Sequence, residues 1–343
     1  MVRLARHAMA TRFEILLAGD NTVSLRAAGE EALSEIERLE AQLSLYRPTS
    51  EIANVNARAA REPVRVTPPV FSLLRHADRL AQETGGAFDV TIAPLVRCWG
   101  FMGGTGQLPR PEDIAAARES VGMHLVDLDP SDFTVRFKRP GVMLDLGAIG
   151  KGYAIECAVE LLREAGVESA LVHGGTSTVY GLGHPPDAEA WNIEIPSARN
   201  AELLTSGQTR ETSLDQSGDT TFTEKERAST TPKCFATVPL CDSSLSVSAV
   251  WGRSFNANGQ SYGHIIDPRT GQPATRAVLS AIVFGSATET DALSTALLTM
   301  GPEGHDQIAG LRPGIRTLVA GEADGSRTVS RGISFTRIES NRG

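Results

Sequence analysis

The sequence predicts an α+β fold of mixed, largely antiparallel sheets flanked by helices, in one domain over residues 1–343 that has room for two lobes. Helical and strand patterns occur in the same chain, but they do not alternate as a doubly wound parallel sheet requires. With 343 residues, 41% hydrophobic and 22% charged, the chain is long enough and apolar enough to bury a sizeable core.

The charge balance excludes some classes of partner. A formal net charge of −8 argues against broad electrostatic binding of nucleic acid or of an anionic membrane. The apolar run over residues 13–18 is short and is interrupted by Glu14, so it predicts neither a signal peptide nor a membrane span. No lipid-attachment cysteine lies near the start, and the sequence therefore predicts a cytoplasmic protein without an integral membrane segment.

The first half of the chain contains both periodicities. Apolar residues at helical spacing, such as Leu33, Ile36 and Leu39, predict amphipathic helices, and alternating or apolar short runs predict strands. The predicted helices cover residues 22–43, 68–84 and 111–121. The predicted strands cover residues 9–19, 87–94, 124–129, 133–138 and 142–146.

The second half opens with a glycine-rich turn that leads into an amphipathic helix ending at Gly166. Further strands are predicted at residues 169–175, 246–255, 264–267 and 279–287, and an apolar helix at 291–300. Residues 197–233 are polar and nearly lack large apolar side chains, which predicts a surface insertion within the domain. The four cysteines are poorly spaced for zinc or disulfides, so buried free thiols are expected.

The segment LDLGAIGKGY, residues 144–153, is the strongest candidate for phosphate chemistry. A helix N-terminus offers free N–H groups and a positive dipole end to an anion. Asp145 and Gly152 stand where a Walker A loop needs glycine and serine or threonine, so that motif is excluded. The alternative is a tight turn with a surface Lys151, although a buried Asp145 would still require a partner.

Two further segments carry polar groups suited to catalysis. In YGHIIDPRTGQP, a turn beginning at Asp267 would let that carboxylate and His264 border one pocket, where the imidazole can act as a base. In ATETDALSTALLTMG, Asp291 and Thr295 are four residues apart on one helix face and offer hard oxygen donors for Mg²⁺ or Ca²⁺. The alternatives are a capped turn with an exposed histidine, and a helix-terminal aspartate beside a core threonine.

Taken in order, several segments resemble the ApbE family of flavin transferases from about Met9 to about Gly304. The segments are SEIANVN, FDVTIAPLVRCWGF, DLGAIGKGY, HGG, HIIDPRTG and TDALSTALLTMG. The resemblance implies an ApbE-like fold and an enzyme, an FAD:protein FMN transferase. Such an enzyme uses Mg²⁺ to move FMN from FAD onto a Thr or Ser hydroxyl of an acceptor protein as a phosphoester, releasing AMP.

The resemblance also implies residue roles. Asp291 and Thr295 match the side-chain metal ligands, and Ala148 matches the position that gives a backbone carbonyl to the metal. His264 matches the histidine at the reaction centre, and Asp267 closes the same turn and is expected to orient it. Positions lining the FAD site are matched by Met9, Tyr46, Ala87, Phe88, Asp89, Asp145, Lys151 and Ile266.

The chain departs from the family pattern at four points. Thr176 follows Gly174–Gly175 where Asp or Asn is common, Ala249 and Trp251 interrupt a Ser-Gly-x-Tyr stretch, and Glu156 stands where Asp is common. Three other functions stay open: an FAD pyrophosphatase that gives FMN and AMP, a non-catalytic FAD-binding protein, and a generic Mg²⁺ phosphohydrolase.

Overall fold

An eight-stranded antiparallel sheet organises the molecule. The structure, a computed structural model, describes residues 1–196, 234–321 and 327–335, so the predicted insertion at 197–233 lies outside the described residues. The strands are β1 (Val2–Ala8), β2 (Thr11–Leu17), β3 (Val64–Arg65), β4 (Val126–Asp129), β5 (Thr134–Phe137), β6 (Ala170–Gly174), β7 (Thr178–Leu182), β8 (Trp191–Pro196), β9 (Cys234–Leu240), β10 (Ser243–Ala249), β11 (Ser254–Ala257), β12 (Gln260–Gly263), β13 (Leu279–Phe284), β14 (Arg316–Ala320) and β15 (Thr328–Arg331).

The helices follow the amphipathic segments of the sequence. They are α1 (Thr22–Leu43), α2 (Glu51–Arg58), α3 (Pro68–Glu83), α4 (Ala93–Cys98), α5 (Pro111–Arg118), α6 (Gly150–Glu164), α7 (Ala287–Met300) and α8 (His305–Gly310). The main sheet has the order β1-β2-β6-β7-β10-β13-β14-β15, and the described strands in all four sheets pair antiparallel. The predicted α+β class is therefore confirmed.

Each face of the main sheet has its own core. Helices α1, α6 and α7 pack in a row on one face, where Leu33 and Leu162 are buried against Phe13 and Ile15 of β2. The β8–β9 ribbon covers the other face and buries Trp191. Because α6 and α7 lie side by side, the beginning of α6 is brought against the first two turns of α7, where the candidate site lies.

Several predicted strands are wrong, each for a local reason. The strand predicted at 9–19 is confirmed over residues 11–17 as β2, but its first two residues, Met9 and Ala10, form a turn with φ of 49° and 58°, and the preceding strand β1 was not predicted. This is a two-residue hairpin turn with positive φ at both central positions, and glycine or asparagine usually announces such a turn in a sequence. Residues 87–94 form a turn that leads into α4, because the Asp89 carboxylate accepts hydrogen bonds from both the backbone N–H and the hydroxyl of Thr91.

The predicted strand at 142–146 is extended chain without a ladder partner. The Leu144 N–H donates to the Asn56 side-chain oxygen at 2.7 Å, and the Asn56 side-chain NH₂ donates to the Leu144 carbonyl at 2.9 Å. The Asp145 N–H donates to the Val90 carbonyl at 2.7 Å. Residues 264–267 make a single bridge, between Ile266 and Pro273, and no strand. Helix α2 was not predicted, although Ser50 caps it by accepting from Ala53 N–H.

The described cysteine side chains are free, as expected, but they are not all buried. Cys98 and Cys157 are half-buried, whereas Cys241 is exposed. Within the described residues, no helix is both long and apolar enough to cross a membrane.

Candidate functional site

The site is built where α6 begins against α7. Gly152 permits this approach, because a Cβ at that position would lie 2.1 Å from the Ala287 carbonyl oxygen and 2.8 Å from the Asp291 Cβ. Its backbone N–H donates to Asp291 Oδ2 at 3.0 Å. The glycine-rich motif thus binds the Asp291 carboxylate of α7 through a backbone N–H of the first turn of α6, where N–H groups lack partners within the helix.

Asp291 is buried, with 4% of its surface exposed. Among the residues that the structure describes, its Oδ1 has two distant partners, the Thr178 hydroxyl at 3.3 Å and the Lys151 ammonium at 3.6 Å. Lys151 also donates to the Gly147 carbonyl at 3.1 Å, so the predicted helix-terminal lysine and the predicted metal ligand do meet. A buried carboxylate whose outer oxygen is so loosely partnered retains capacity for a cation.

Hydroxyl groups extend this oxygen-lined surface. The Thr295 hydroxyl donates to the Asp291 carbonyl at 3.3 Å and lies 3.3 Å from the Ser248 hydroxyl of β10. Ala148 lies half-buried in the turn before α6, next to Gly147, and coordination by its carbonyl stays a prediction.

The donor groups of this surface suit one mode of Mg²⁺ binding. Among the residues that the structure describes, no group of three or more His, Cys, Asp or Glu side chains could form an all-protein cage. Mg²⁺ commonly binds through one or two carboxylates plus substrate phosphates and water. One carboxylate, Asp291, beside the hydroxyls of Thr295 and Ser248 fits that mode of binding.

A cavity of about 330 Å³ opens beside this surface and is named here the Lys151 cavity. It is lined by Met9, Tyr46, Asp145 and Lys151, four of the residues predicted for the FAD site, together with glycines of the α6 turn. Burial raises the pKa of the Asp145 carboxyl, while a hydrogen bond from Gly147 N–H and the Lys151 charge act against that rise. The Lys151 cation, the Asp145 carboxyl group and the Tyr46 phenol therefore line one cavity.

The other predicted FAD residues lie elsewhere. Ala87 and Phe88 are buried at 0% and 2% exposure. Asp89 is held by Thr91 and by Met123 N–H, its pKa is raised by burial, and it lines a separate cavity of about 810 Å³. Ile266 is buried in the aromatic cluster around Trp99. Contact of these four residues with a ligand stays a prediction.

His264 follows β12 and is fixed by the backbone across the hairpin. Its Nδ1 lies 3.0 Å from the Arg253 carbonyl oxygen, and its backbone N–H donates to the same oxygen at 3.0 Å. Burial is the main cause that lowers the pKa of this imidazole, and the charges of Arg253 and Lys151 lower it further. Because a carbonyl can only accept, Nδ1 carries the proton and Nε2 keeps a free lone pair.

Asp267 makes a different set of contacts from the expected one. Its carboxylate accepts from the Arg269 backbone N–H and guanidinium at 2.8–3.0 Å, and its carbonyl accepts from Thr270 and Gly271. The described hydrogen bonds include none between Asp267 and His264. The group that orients His264 is therefore the Arg253 carbonyl, and a catalytic role for Asp267 stays a prediction.

Sequence reasoning missed the hydroxyl groups behind Asp291. The hydroxyls of Ser246, Thr178 and Thr290 form a buried chain that ends on Asp291 Oδ1. A signal was present, because serines at positions 244, 246 and 248 alternate along β10 and must share one face.

Glu156, one of the departures from the family pattern, also supports the site. Its carboxylate accepts from the Ser286 hydroxyl and the Thr288 N–H, both at 2.8 Å, at the beginning of α7. The longer side chain thus caps the helix that carries Asp291.

Comparison with known proteins agrees with this geometry. The sequence model described as "ApbE family" matches residues 9–319, most of the chain and all of the site described above. The chain belongs to the ApbE family. The family resemblance noted in the sequence is therefore confirmed.

Curated relatives are between 25% and 30% identical to this chain over the aligned residues. A protein of Treponema pallidum named FAD:protein FMN transferase is 30% identical over 307 residues, which cover 86% of this chain and 77% of the relative. A protein of the same name from Vibrio cholerae is 29% identical over 272 residues, covering 78% and 72%.

Solved ApbE structures have the same fold. The crystal structure of the ApbE protein from Thermotoga maritima has a TM-score of 0.76 and 26% identity, with 98% of this chain and 97% of that chain covered. The apo form of the Pseudomonas stutzeri flavinyl transferase ApbE has a TM-score of 0.76 and 25% identity, with 98% and 95% covered.

Proposed function

We propose that this chain is an FAD:protein FMN transferase that moves FMN from FAD to a Thr or Ser hydroxyl of an acceptor protein and releases AMP. The names of its relatives support the reaction class. The observation that carries the proposal is the arrangement around Lys151, whose ammonium lies 3.6 Å from Asp291, lines a cavity with Asp145, and acts on the pKa of His264. This arrangement supports a site in which phosphate-binding groups and a base would act together.

Mg²⁺ would be held by Asp291, Thr295 and the Ala148 carbonyl, and when bound it supplies positive charge for phosphate oxygens. Lys151 would lie over the same oxygens. These residues would reduce the repulsion that the pyrophosphate presents to an incoming nucleophile and would stabilise the negative charge that develops on the leaving phosphate, which lowers the barrier to attack. The fit rests on one buried carboxylate with hydroxyl neighbours, a donor set that leaves room for phosphate ligands.

His264 would act as the general base. Its Nε2 accepts the proton of the acceptor hydroxyl while that oxygen forms a bond to the FMN phosphorus. The bond from this phosphorus to the bridging oxygen breaks, and AMP leaves with the electron pair. With water in place of the acceptor, the same step would give FMN and AMP, which is the pyrophosphatase alternative.

The test replaces His264→Asn, because the asparagine amide can still donate to the Arg253 carbonyl while Nε2 is lost. With FAD, Mg²⁺ and a threonine-bearing acceptor, we expect flavin transfer to fall by about 10²–10⁴-fold while FAD binding is kept. The control is His184→Asn, at an exposed histidine whose ring also lies 3.0 Å from a carbonyl oxygen, that of Pro185.

Mass analysis of the acceptor and measurement of AMP separate the alternatives. FMN on the acceptor with equal AMP supports the transferase. Free FMN and AMP without a modified acceptor would point to the pyrophosphatase, and FAD binding without AMP release would point to a binding protein. Wild-type transfer by the His264→Asn variant would contradict the assigned base.

A further inference from the structure

A groove that is separate from the Lys151 cavity lies beside His264. It has a volume of about 540 Å³ and is named here the hairpin groove. One wall is β12 and the other is the segment 272–278, and Val250 and Gly252 close its inner end. A Cβ on Gly252 would lie 3.6 Å from Cε1 of His264, so the groove reaches the imidazole ring.

The lining of the hairpin groove is uncharged, and it combines large side chains, such as Trp251 and Tyr262, with small ones. None of the residues that line it is Asp, Glu, Lys, Arg or His, and Gly263, Ser261, Ala274 and Ala277 are among them. Such a groove admits a backbone closely and offers no counter-charge, so a charged side chain entering it would lose solvation without compensation. The chemistry of the lining selects an uncharged chain.

The wall formed by β12 is an unpaired strand edge. β11 and β12 form a two-stranded ribbon in the register Ser254↔Gly263 to Ala257↔Gln260. The His264 N–H donates to the Arg253 carbonyl, so Arg253 and His264 are a hydrogen-bonded pair at the end of this ribbon. Because bonded pairs alternate along an antiparallel ribbon, the N–H and C=O groups of Ser261 and Gly263 point away from β11.

No hydrogen bond within the described residues reaches the backbone groups of Ser261 or Gly263. An exposed edge of this kind is a template for another strand, and proteins use it to bind extended peptides. Gly263 directly precedes His264, so a chain paired with Ser261 and Gly263 would run past the imidazole.

We propose that the hairpin groove binds the acceptor protein as an added strand: an extended, uncharged segment pairs with β12 and presents its Thr or Ser hydroxyl to His264. This inference rests on the proposed FMN transfer and names the binding mode of its second substrate. Backbone pairing gives affinity, and the uncharged lining gives selectivity.

One substitution tests the edge, and a matched one controls for it. Ser261→Pro removes the outward N–H of β12, whereas Asn256→Pro removes the outward N–H of β11, on the opposite edge of the same ribbon. Thr275→Glu is a second test variant, since it leaves the ribbon intact and adds a charge to the exposed far wall of the groove.

The probe is a synthetic peptide of small uncharged residues with one central threonine, and its twin has glutamates flanking that threonine. With full-length protein, FAD and Mg²⁺, we expect Ser261→Pro and Thr275→Glu to raise the KM for the peptide about tenfold with little change in kcat. Asn256→Pro should keep the wild-type KM, and the glutamate twin should be a poor substrate for the wild type.

A second measurement separates this inference from the proposed function. Hydrogen exchange should show that the peptide protects the Ser261 and Gly263 amides whether or not transfer follows. Protection without transfer would overturn the FMN transferase and keep the docking edge. Transfer with an unchanged KM in both test variants, or no protection of these amides, would overturn the docking edge.

Discussion

At the scale of single residues, the tautomer of His264 is the decisive feature. The Arg253 carbonyl fixes the proton on Nδ1, and burial together with two nearby cations keeps the ring neutral. A histidine held in this way is ready to accept a proton at neutral pH without first losing one. The sequence indicated the histidine and its role, but the orienting carbonyl comes from a residue eleven positions earlier and has no sequence signature.

The proposed transfer should therefore depend on pH in one direction. The pKa of His264 is lowered from its ordinary 6.5, so the rate should rise with pH through an inflection below 6.5 and stay level above it. Lys151→Met removes one of the charges that lower this pKa, and the inflection in kcat/KM should move upward. Lys138→Met, at an exposed lysine paired with Asp127, should leave the inflection in place. A wild-type inflection above 6.5 would contradict this account.

At the scale of elements, the contact of α6 with α7 positions the site. Gly152 lets the two backbones approach, and Glu156, one turn later, caps α7. Both residues lie on α6, so α6 positions α7 through two separate contacts. The sequence predicted both helices, but a glycine in a motif does not reveal which element it lies against.

Replacing Gly152→Ala should destabilise the protein. The new Cβ would overlap the Ala287 carbonyl, a backbone atom that cannot move aside, and we expect a loss of about 1–3 kcal/mol in the free energy of unfolding. Urea denaturation measures this loss. Gly150→Ala is the matched control, since its nearest contact is Leu146 Cβ at 3.9 Å, and it should be neutral or slightly stabilising. Equal stability of the two variants would show that the close approach is not tight.

At the scale of the whole molecule, a buried charge cluster ties α3 to α7. Glu289, 5% exposed, lies 3.0 Å from His76 Nε2, 2.8 Å from Arg79 and 3.0 Å from Arg312 Nε. Burial is the largest influence on the pKa of Glu289 and raises it, but the contacts with His76 and Arg312 outweigh burial and leave the pKa lowered. The first two turns of α7, which carry Asp291, are thus held both by charge and by close packing.

Glu289→Gln should lower the free energy of unfolding by about 1–2 kcal/mol at neutral pH, because the guanidinium groups of Arg79 and Arg312 lose a charged hydrogen-bond acceptor. Since the folded pKa lies below the unfolded one, the wild-type advantage is complete above the unfolded pKa and declines as the pH falls through the folded value. Urea curves at several pH values measure this. Glu303→Gln breaks an exposed pair with Arg327 and should cost less stability than Glu289→Gln at neutral pH.

The sequence predicted the long amphipathic elements well and the short irregular ones poorly. α1 has the predicted limits because its apolar stripe repeats over six turns, whereas residues 142–146 look like a strand although Asn56 satisfies their backbone. In the site, Asp291, Thr295 and Lys151 could be found from motifs. Thr178 and Arg253 could not, since their roles depend on pairings between distant segments that a single sequence does not encode locally.

The aromatic packing beneath β12 has an optical consequence. The indole of Trp99 is buried, and its ring centre lies 5.5 Å from that of Tyr262 and 6.4 Å from that of Phe255. Tyrosine excited at this separation passes its energy to tryptophan. Fluorescence of the unlabelled protein can therefore report whether the β11–β12 ribbon stays seated when another molecule arrives.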